Sequence, residues 1–536
     1  MSRPLRVALL QLEAYDLAGH ELAWAQLLER IDDAAADEPD LIVLPEASYP
    51  AYFLGSIEEY EAAGVRPDAE VLATLGERAR RHGCHIAAGL VLRREDGGLE
   101  NACVLFDPQG AVMGRYAKSF LWHFDRRWFS AGDSFPVFRI GEATAGILIC
   151  ADGRLPEIPR AFADAGANLI IDPTAWVSWG RTREAMSQPL ADYFMPARAI
   201  ESGAWVVCAA KVGVEAGSIV YAGQSGVIDP RGEWVVRAPG AEPGIVVYTL
   251  DLDEATGPPI ERPPRLPSAE SAIDRPSRAA ELAREALISE DAVARVVSVA
   301  LDPSPSAVEL MEGVRALVHT VARQDAALVV LPDLAGADAR SVTQLELLPL
   351  LSALSEQTQT MIAAVLAERV EGATYKTLYL LERGAVLAAH RQTLLSPAEL
   401  TAGFAAGTTA APVVETIVGN LGLLSSAEGL APELARALKL DGAELLLWCA
   451  GDIGAPLRTL TRARAHENRL YVAAAGDTQT SGGGYVVDPA GGVIAETLEG
   501  EAMAAGADIN RLFARWNDMA PGTNPLRDAP PGLLPR

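Results

Sequence analysis

By its type and its surroundings, Cys150 is the strongest candidate nucleophile in this chain. It ends the apolar run AGILIC and precedes ADGRLPEIPRAFADAG, a segment whose pattern predicts a turn into a helix. A thiol at the C-terminal edge of a strand, beside helix N–H groups, is exposed and has a lowered pKa. The same position also suits a buried structural cysteine, which behaves as a small apolar side chain. A cysteine nucleophile needs a base, and the seven histidines offer no Cys–His pattern. A carboxylate is the alternative. Glu46 ends the apolar stretch LIVLPEAS, where a charge is costly unless it has a partner, although an exposed strand end would also tolerate it. Lys118, in GRYAKSFLW, follows the run ACVLFDPQGAVMGRY, and taken alone it suits a solvated surface equally well.

The elements that would carry these residues can be read from hydropathy. RVALLQL (6–12), LIVLP (41–45), HIAAGLVL (85–92), ACVLFD (102–107), AGILIC (145–150), NLIIDP (168–173) and WVVCAAK (205–211) read as strands. Helical patterns fall around 21–35, 69–82, 155–165 and 183–201. Apolar runs this continuous belong to sheets buried on both faces, and their alternation with helices predicts an α/β layered fold. Glu46, Lys118 and Cys150 each lie on the C-terminal side of a predicted strand.

Taken together, LIVLPEAS, GRYAKSFL and GILICADGRLPE resemble the Glu–Lys–Cys motifs of the nitrilase (carbon–nitrogen hydrolase) superfamily. FSAGD (129–133), IIDPTAW (170–176), MPARAIESGAWVVCAAKVG (195–213) and GQSGVIDPRG (223–232) extend the resemblance over about residues 5–253. It implies an α-β-β-α sandwich that hydrolyses non-peptide C–N bonds through a thioester, with no metal or organic cofactor. Glu46 would be the general base. Lys118 and the backbone N–H of Ala151 would stabilise the oxyanion. Many amidase-like members carry a second glutamate shortly after the lysine; here FDRRWFSAGD places Asp125 there, where a surface pair with Arg126 or Arg127 is the other reading. Nitrilases proper tend to show Cys-Trp-Glu at the nucleophile. Cys150-Ala151-Asp152 instead favours an amidase or carbamoylase acting on a small linear amide or N-carbamoyl compound. Arg154 could bind a substrate carboxylate or pair with Asp152 or Glu157. Tyr49, Tyr52, Phe53, Trp122, His123, Trp176 and Trp179 are candidate pocket walls, or else packing residues. Nitrile hydrolysis, a glutaminase-like or acyl-transfer unit, and a non-catalytic scaffold are the alternatives.

The chain also resembles itself. LIVLPE (41–46) matches LVVLPD (328–333), GILICADGRLPE matches GLLSSAEGLAPE (422–433), ARAIES (197–202) matches ARAHEN (463–468), and GVIDPRG (226–232) matches YVVDPAG (485–491). The blocks keep their order, so two related sandwiches are expected: a catalytic domain over 1–255 and a degenerate one over 293–512. A proline-rich linker with a short helix (277–288) would fill 256–292, and a tail that wraps a surface or stays loose would follow from 513 to 536. In the second copy Asp333, Gln392 and Ser426 stand at the positions of Glu46, Lys118 and Cys150, which reads as loss of catalysis. The echo of Glu201 in Glu467 within that copy suggests a structural role for both. Because members of this superfamily pack sandwich on sandwich, the resemblance implies an internal pseudo-dimer, with further homo-oligomers open.

Composition narrows the partners. With 45 Lys+Arg against 71 Asp+Glu, the net charge of −26 argues against nucleic acid and anionic membranes. No run reaches transmembrane length, and the first residues lack a secretory pattern. Five scattered cysteines without CxxC spacing suit a reducing cytoplasm, with neither a disulfide framework nor a zinc site.

Overall fold

The structure is a computed structural model and describes residues 3–180, 182, 185–261, 278–283, 292–302, 307–336, 343–480, 482–530 and 533. It contains two compact units. The first comprises the described residues up to Pro259 together with Ala520–Leu533; the second comprises those of Ile260–Met519. The expected proline-rich linker falls largely outside the described residues. Of the short helix expected after it, Arg278–Leu282 is described and helical.

In the first unit one half-sheet contains β1 (Pro4–Glu13), β2 (Leu41–Val43), β3 (His85–Arg93), β4 (Leu99–Phe106) and β5 (Val112–Ala117). The other is built from β6 (Val137–Ile140), β7 (Ala143–Ile147), β8 (Leu169–Thr174) and β9 (Trp205–Glu215). The short strands β10 (Ile219–Ala222), β11 (Gly226–Ile228) and β12 (Trp234–Arg237) extend it, and β13 (Gly244–Asp251) pairs antiparallel with β1. The order is β5-β4-β3-β2-β1-β9-β8-β7-β6, with the halves joined where Leu12 and Glu13 of β1 pair with Lys211 and Val212 of β9. Strands β1, β2 and β3 run parallel, as do β7, β8 and β9.

The apolar runs are continuous because both sheet faces are covered. Ala8, Leu10 and Leu12 of β1 pack on Trp24, Leu27 and Ile31 of the helix His20–Ala35 and on Leu75 and Ala79 of the helix Asp68–His82. The alternate residues Val7 and Leu9 are equally buried on the other face. The helix Asp68–His82 has acids in its first turn, Arg80, Arg81 and His82 in its last, and Gly83 at φ 64 beyond it, so both its ends suit the helix dipole and the left-handed cap. The helix expected over 183–201 is shorter in the structure. A π-helical turn over Leu190–Phe194 leads into a helix over Met195–Ser202, and Arg183 and Glu184 lie outside the described residues. Pro189 before that turn and Pro196 at the start of the helix remove N–H donors, which restricts where regular helix can begin.

The second unit repeats this plan in two six-stranded sheets. One consists of β14 (Val293–Ala300), β15 (Leu328–Asp333), β16 (Met361–Val370), β17 (Ala373–Glu382) and β18 (Ala385–Arg391). The other consists of β19 (Val413–Thr416), β20 (Gly419–Ser425), β21 (Leu445–Cys449), β22 (Tyr471–Ala475), β23 (Tyr485–Val487) and β24 (Val493–Glu496). The last strand, β25 (Met503–Asn510), closes the first of these sheets against β14. Tandem α/β sandwiches are therefore what the chain folds into. Among the described residues no helix is long and apolar enough to cross a membrane.

One buried group of the second unit gives its stability a pH signature. Lys439 is enclosed, with Nζ donating to the carbonyls of Arg469 and Ala514, and burial pushes its pKa down to about 7. Between that value and the ordinary lysine range the unfolded chain binds a proton that the folded one does not, so stability rises with pH across this window and is flat below it. The rise amounts to up to ~5 kcal/mol over the whole window. Thermal melts between pH 7 and 10 should show it, and Lys439→Met should remove it.

Candidate active site

Glu46 reaches its place through the turn that follows β2. Ala47 takes φ 44, and the carbonyl of Ala47 accepts a hydrogen bond of 2.8 Å from Nζ of the buried Lys211 on β9. Ser48 N–H donates to the Gly89 carbonyl at 2.8 Å. A Cβ at Gly89 would meet the Pro45 carbonyl oxygen at 2.2 Å and Glu46 Cα at 2.8 Å, so only glycine lets β3 lie under the glutamate. Gly89→Ala should therefore displace Glu46 by a fraction of an ångström or more. Turnover should fall by about tenfold to a hundredfold with little change in secondary structure, as steady-state kinetics and circular dichroism would check.

The glutamate is wholly buried. Its Oε1 accepts from Lys118 Nζ at 2.7 Å and from Asn101 Nδ2 at 2.7 Å, while Oε2 has no hydrogen-bond partner among the described residues. Lys118 follows β5, and its backbone N–H donates to Asn101 O at 2.8 Å. Its ammonium also pairs with Asp125 Oδ2 at 2.8 Å. Burial by itself would push this lysine down. Asp125 and Glu46 outweigh that effect and hold it well above its ordinary range, so it is a fixed cation.

Asp125 is buried, and its partner is Lys118 in place of Arg126 or Arg127, which follow it. Its Oδ1 accepts from Tyr52 O–H at 2.5 Å and its Oδ2 from Trp122 N–H at 2.9 Å. Burial, then the charge of Asp125, push the Tyr52 hydroxyl well above its usual range, so it stays a donor. Asp125 sits in a single 3-10 turn, His123–Arg127, which the C-terminal segment of the same unit secures. Thr523 Oγ1 accepts from His123 N–H at 2.8 Å, and Asp528 pairs with Arg126 at 2.8 Å. The tail thus wraps a surface, and the surface it wraps belongs to the turn that holds the lysine's second carboxylate.

Cys150 lies just past β7, which ends at Ile147, at the head of a 3-10 turn over Cys150–Arg154. Its φ of 50 is unusual for a side-chain-bearing residue, and its N–H donates to Asp172 Oδ1 at 2.8 Å. Of the five cysteines it alone is partly exposed. The expectation of a lowered thiol pKa is not met. Burial pushes the Cys150 thiol up, and Glu46 adds to this more than Lys118 takes away. At rest the thiol is neutral, so it could act as a nucleophile only with the help of a base.

Asp152 ties this turn to the lysine loop. Its carboxylate accepts from Ile149 N–H (2.9 Å), Phe120 N–H (2.7 Å) and Tyr116 O–H (2.8 Å). Arg154 is buried, with its guanidinium over the Trp122 ring at 4.3 Å. Trp176 has no exposed surface and packs edge-on to Trp234, whereas Trp179 is exposed. Arg198 pairs with Glu201 at 3.1 Å and Arg464 with Glu467 at 2.8 Å, one salt bridge occurring in both units, which makes Glu201 a packing residue. The fold also brings in residues that sequence reasoning missed: Asn101, Asp172, Lys211 with Glu215, and Thr523. The one available signal was polar residues inside apolar strands, such as Lys and Glu in WVVCAAKVGVE.

A nucleophile on a positive-φ turn, a buried carboxylate with an unpartnered oxygen and a fixed ammonium between two carboxylates can together carry out acyl transfer. The chain is similar to known proteins. A sequence model of carbon-nitrogen hydrolases matches residues 6–257 and 293–516. A protein named nitrilase from Pyrococcus abyssi is 33% identical over 225 residues, covering 41% of this chain and 80% of that protein. A 2-oxoglutaramate amidase from Bacillus subtilis is 30% identical over 221 residues, covering 40% and 80%. Among solved structures, an amidase from Nesterenkonia sp. is 27% identical, covers 47% of this chain and 92% of that one, and has a TM-score of 0.39.

Proposed function

Since the chain belongs to the carbon-nitrogen hydrolase family, and so hydrolyses carbon–nitrogen bonds other than peptide bonds, we propose that it cleaves a small linear amide or an N-carbamoyl compound through a thioester on Cys150. The observation that carries this reading is Lys118, buried and bonded to both Glu46 and Asp125, in a site where Glu46 and Lys118 both act on the Cys150 thiol.

Glu46 Oε2 takes the thiol proton as Sγ attacks the carbonyl carbon. The oxyanion that forms is stabilised by Lys118 and the Ala151 N–H. Glu46 returns the proton to the leaving nitrogen, the C–N bond breaks, and ammonia or an amine departs. Glu46 then takes a proton from water, which attacks the thioester. Collapse releases the acid and restores the thiol. Held above its ordinary range, the Cys150 thiol keeps its proton until the base takes it. The Cys150-Ala151-Asp152 sequence, and the amidase names of several relatives, support amides over nitriles.

The test is ammonia release from a panel of aliphatic and aromatic amides, N-carbamoyl amino acids and nitriles, with Cys150→Ala in parallel. Release from an amide or carbamoyl compound that requires Cys150 upholds the reading. Release from nitriles alone overturns it.

A further inference from the structure

Lys211 places an amine in the buried part of β9, opposite Leu12 of β1. Its Nζ donates to the Ala47 carbonyl at 2.8 Å, lies 3.7 Å from Glu215 Oε2 and sits 5.7 Å from the centre of the Tyr221 ring. Glu215, on the same face of the strand, accepts from Phe53 N–H at 2.6 Å and from Tyr221 O–H at 2.7 Å. The pair therefore fastens both ends of the segment 47–53. Glu46 immediately precedes that segment, and Tyr52 within it bonds Asp125, the second carboxylate on Lys118. The peptide between Ala47 and Ser48 is held at both polar ends, its carbonyl by Lys211 and its N–H by the Gly89 carbonyl. Ala47 takes φ 44, a left-handed conformation that persists in a non-glycine residue only where its surroundings fix it.

The second unit shows the same turn without this lysine. Val296 pairs with Leu328 as Val7 pairs with Leu41, so Leu301 is the counterpart of Leu12, and Leu301 pairs with Asp477. An aspartate thus stands at the place of Lys211. The Arg198–Glu201 bridge is kept, as Arg464–Glu467, so the sandwich retains its packing where Lys211 and the three central residues are gone. An ammonium has been supplied from elsewhere. Gln392 N–H donates to the Lys376 carbonyl at 2.8 Å, as Lys118 N–H does to Asn101, so Lys376 on β17 occupies the place of Asn101 on β4. Lys376 Nζ bonds Asp333 Oδ2 at 2.7 Å. The other oxygen of Asp333 is taken up by its own turn, Oδ1 accepting from Ala335 N–H at 2.8 Å. Leu334, at the place of Ala47, does not enter the left-handed region. In the first unit Lys211 holds the turn, and Glu46 Oε2 is left without a partner among the described residues.

We propose that Lys211 is a positioning residue of the hydrolytic site: by fastening the Ala47 carbonyl, and through Glu215 the far end of the turn, it keeps one carboxylate oxygen of Glu46 available to the Cys150 thiol. It acts only through Glu46, and the proposal rests on the reading of Glu46 as the base and Cys150 as the nucleophile. Without the bond to Ala47 the turn is able to relax as it has around Asp333, with the carboxylate displaced or its second oxygen occupied by a backbone N–H. The consequence falls on proton transfer, because a base must lie within hydrogen-bond reach of the proton it takes.

The test is the rate at which iodoacetamide alkylates Cys150, followed by mass spectrometry on the full-length wild-type, Lys211→Met, Lys211→Arg and Glu46→Gln chains. Lys211→Met and Glu46→Gln are each expected to slow alkylation by about tenfold to a hundredfold. Lys211→Arg, which restores an N–H donor and a cation at this place, should recover most of the rate. On an amide that the wild-type chain hydrolyses, Lys211→Met should lower kcat by a similar factor and leave KM within about threefold. A Lys211→Met rate within about twofold of wild type while Glu46→Gln is slow, a folded Lys211→Arg chain no faster than Lys211→Met, or a loss carried wholly by KM would overturn the proposal. Should Lys211→Met not fold, Lys211→Gln, whose amide ends one bond short of the Ala47 carbonyl, takes its place with the same loss expected. If Glu46→Gln alkylates as fast as wild type, Glu46 is not the base, and the reading of the first site falls together with this proposal.

Discussion

Cys150→Ala is expected to abolish ammonia release, by about four orders of magnitude or more, with the fold unchanged. The acyl group has no other acceptor in the first unit: among its described cysteines the other three are buried, and none shares the positive-φ turn beside Lys118. Cys150→Ser is the sharper form of the experiment. A hydroxyl is much harder to deprotonate than a thiol, so the serine should remain far below wild type even with Glu46 and Lys118 in place. Mass spectrometry of wild-type enzyme quenched during turnover should find the acyl adduct on Cys150 alone.

Glu46→Gln and Lys118→Met are expected to fail in different ways, and the difference reports the electrostatics of the site. Glutamine keeps an oxygen for Lys118 but cannot take a proton. Turnover should fall by about a thousandfold or more, while the melting temperature moves little. Lys118→Met leaves Glu46 and Asp125 buried together without their cation. Removing one partner from a buried ion pair costs about 3–5 kcal/mol, so this variant should melt well below wild type in addition to losing activity. Equal stability of the two variants would show that the buried carboxylates do not depend on Lys118.

The three central residues were legible because each follows an apolar strand, where a polar or reactive side chain needs a reason. The fold brings Glu46 and Lys118 into direct contact and sets Cys150 within reach of both charges. Strand positions were legible for the same reason, since runs such as RVALLQL and WVVCAAK have no polar face to expose. What stayed hidden depends on register. Asn101 and Asp172 are single polar residues within strands, and no spacing marks them; only the pairing of β4 and β8 with their neighbours points them at Glu46 and Cys150. The relocated lysine was hidden more deeply. The position aligned with Lys118 holds Gln392, and only the hydrogen bond from Gln392 to Lys376 reveals that a neighbouring strand supplies the ammonium. The thiol's electrostatics were misjudged because the turn after Cys150 is one short 3-10 turn in a dense environment, so desolvation exceeds any dipole.

Thr523 and Asp528, which fasten the turn bearing Asp125, are encoded after the whole of the second unit. A nascent chain that has emerged as far as Asn510 already carries Glu46, Lys118 and Cys150, but not the segment that secures Asp125. The surroundings of Asp125 are therefore completed only after the second sandwich has been made. A product cut before Thr523 would carry the Cys150 thiol without the two contacts that fasten the turn bearing Asp125.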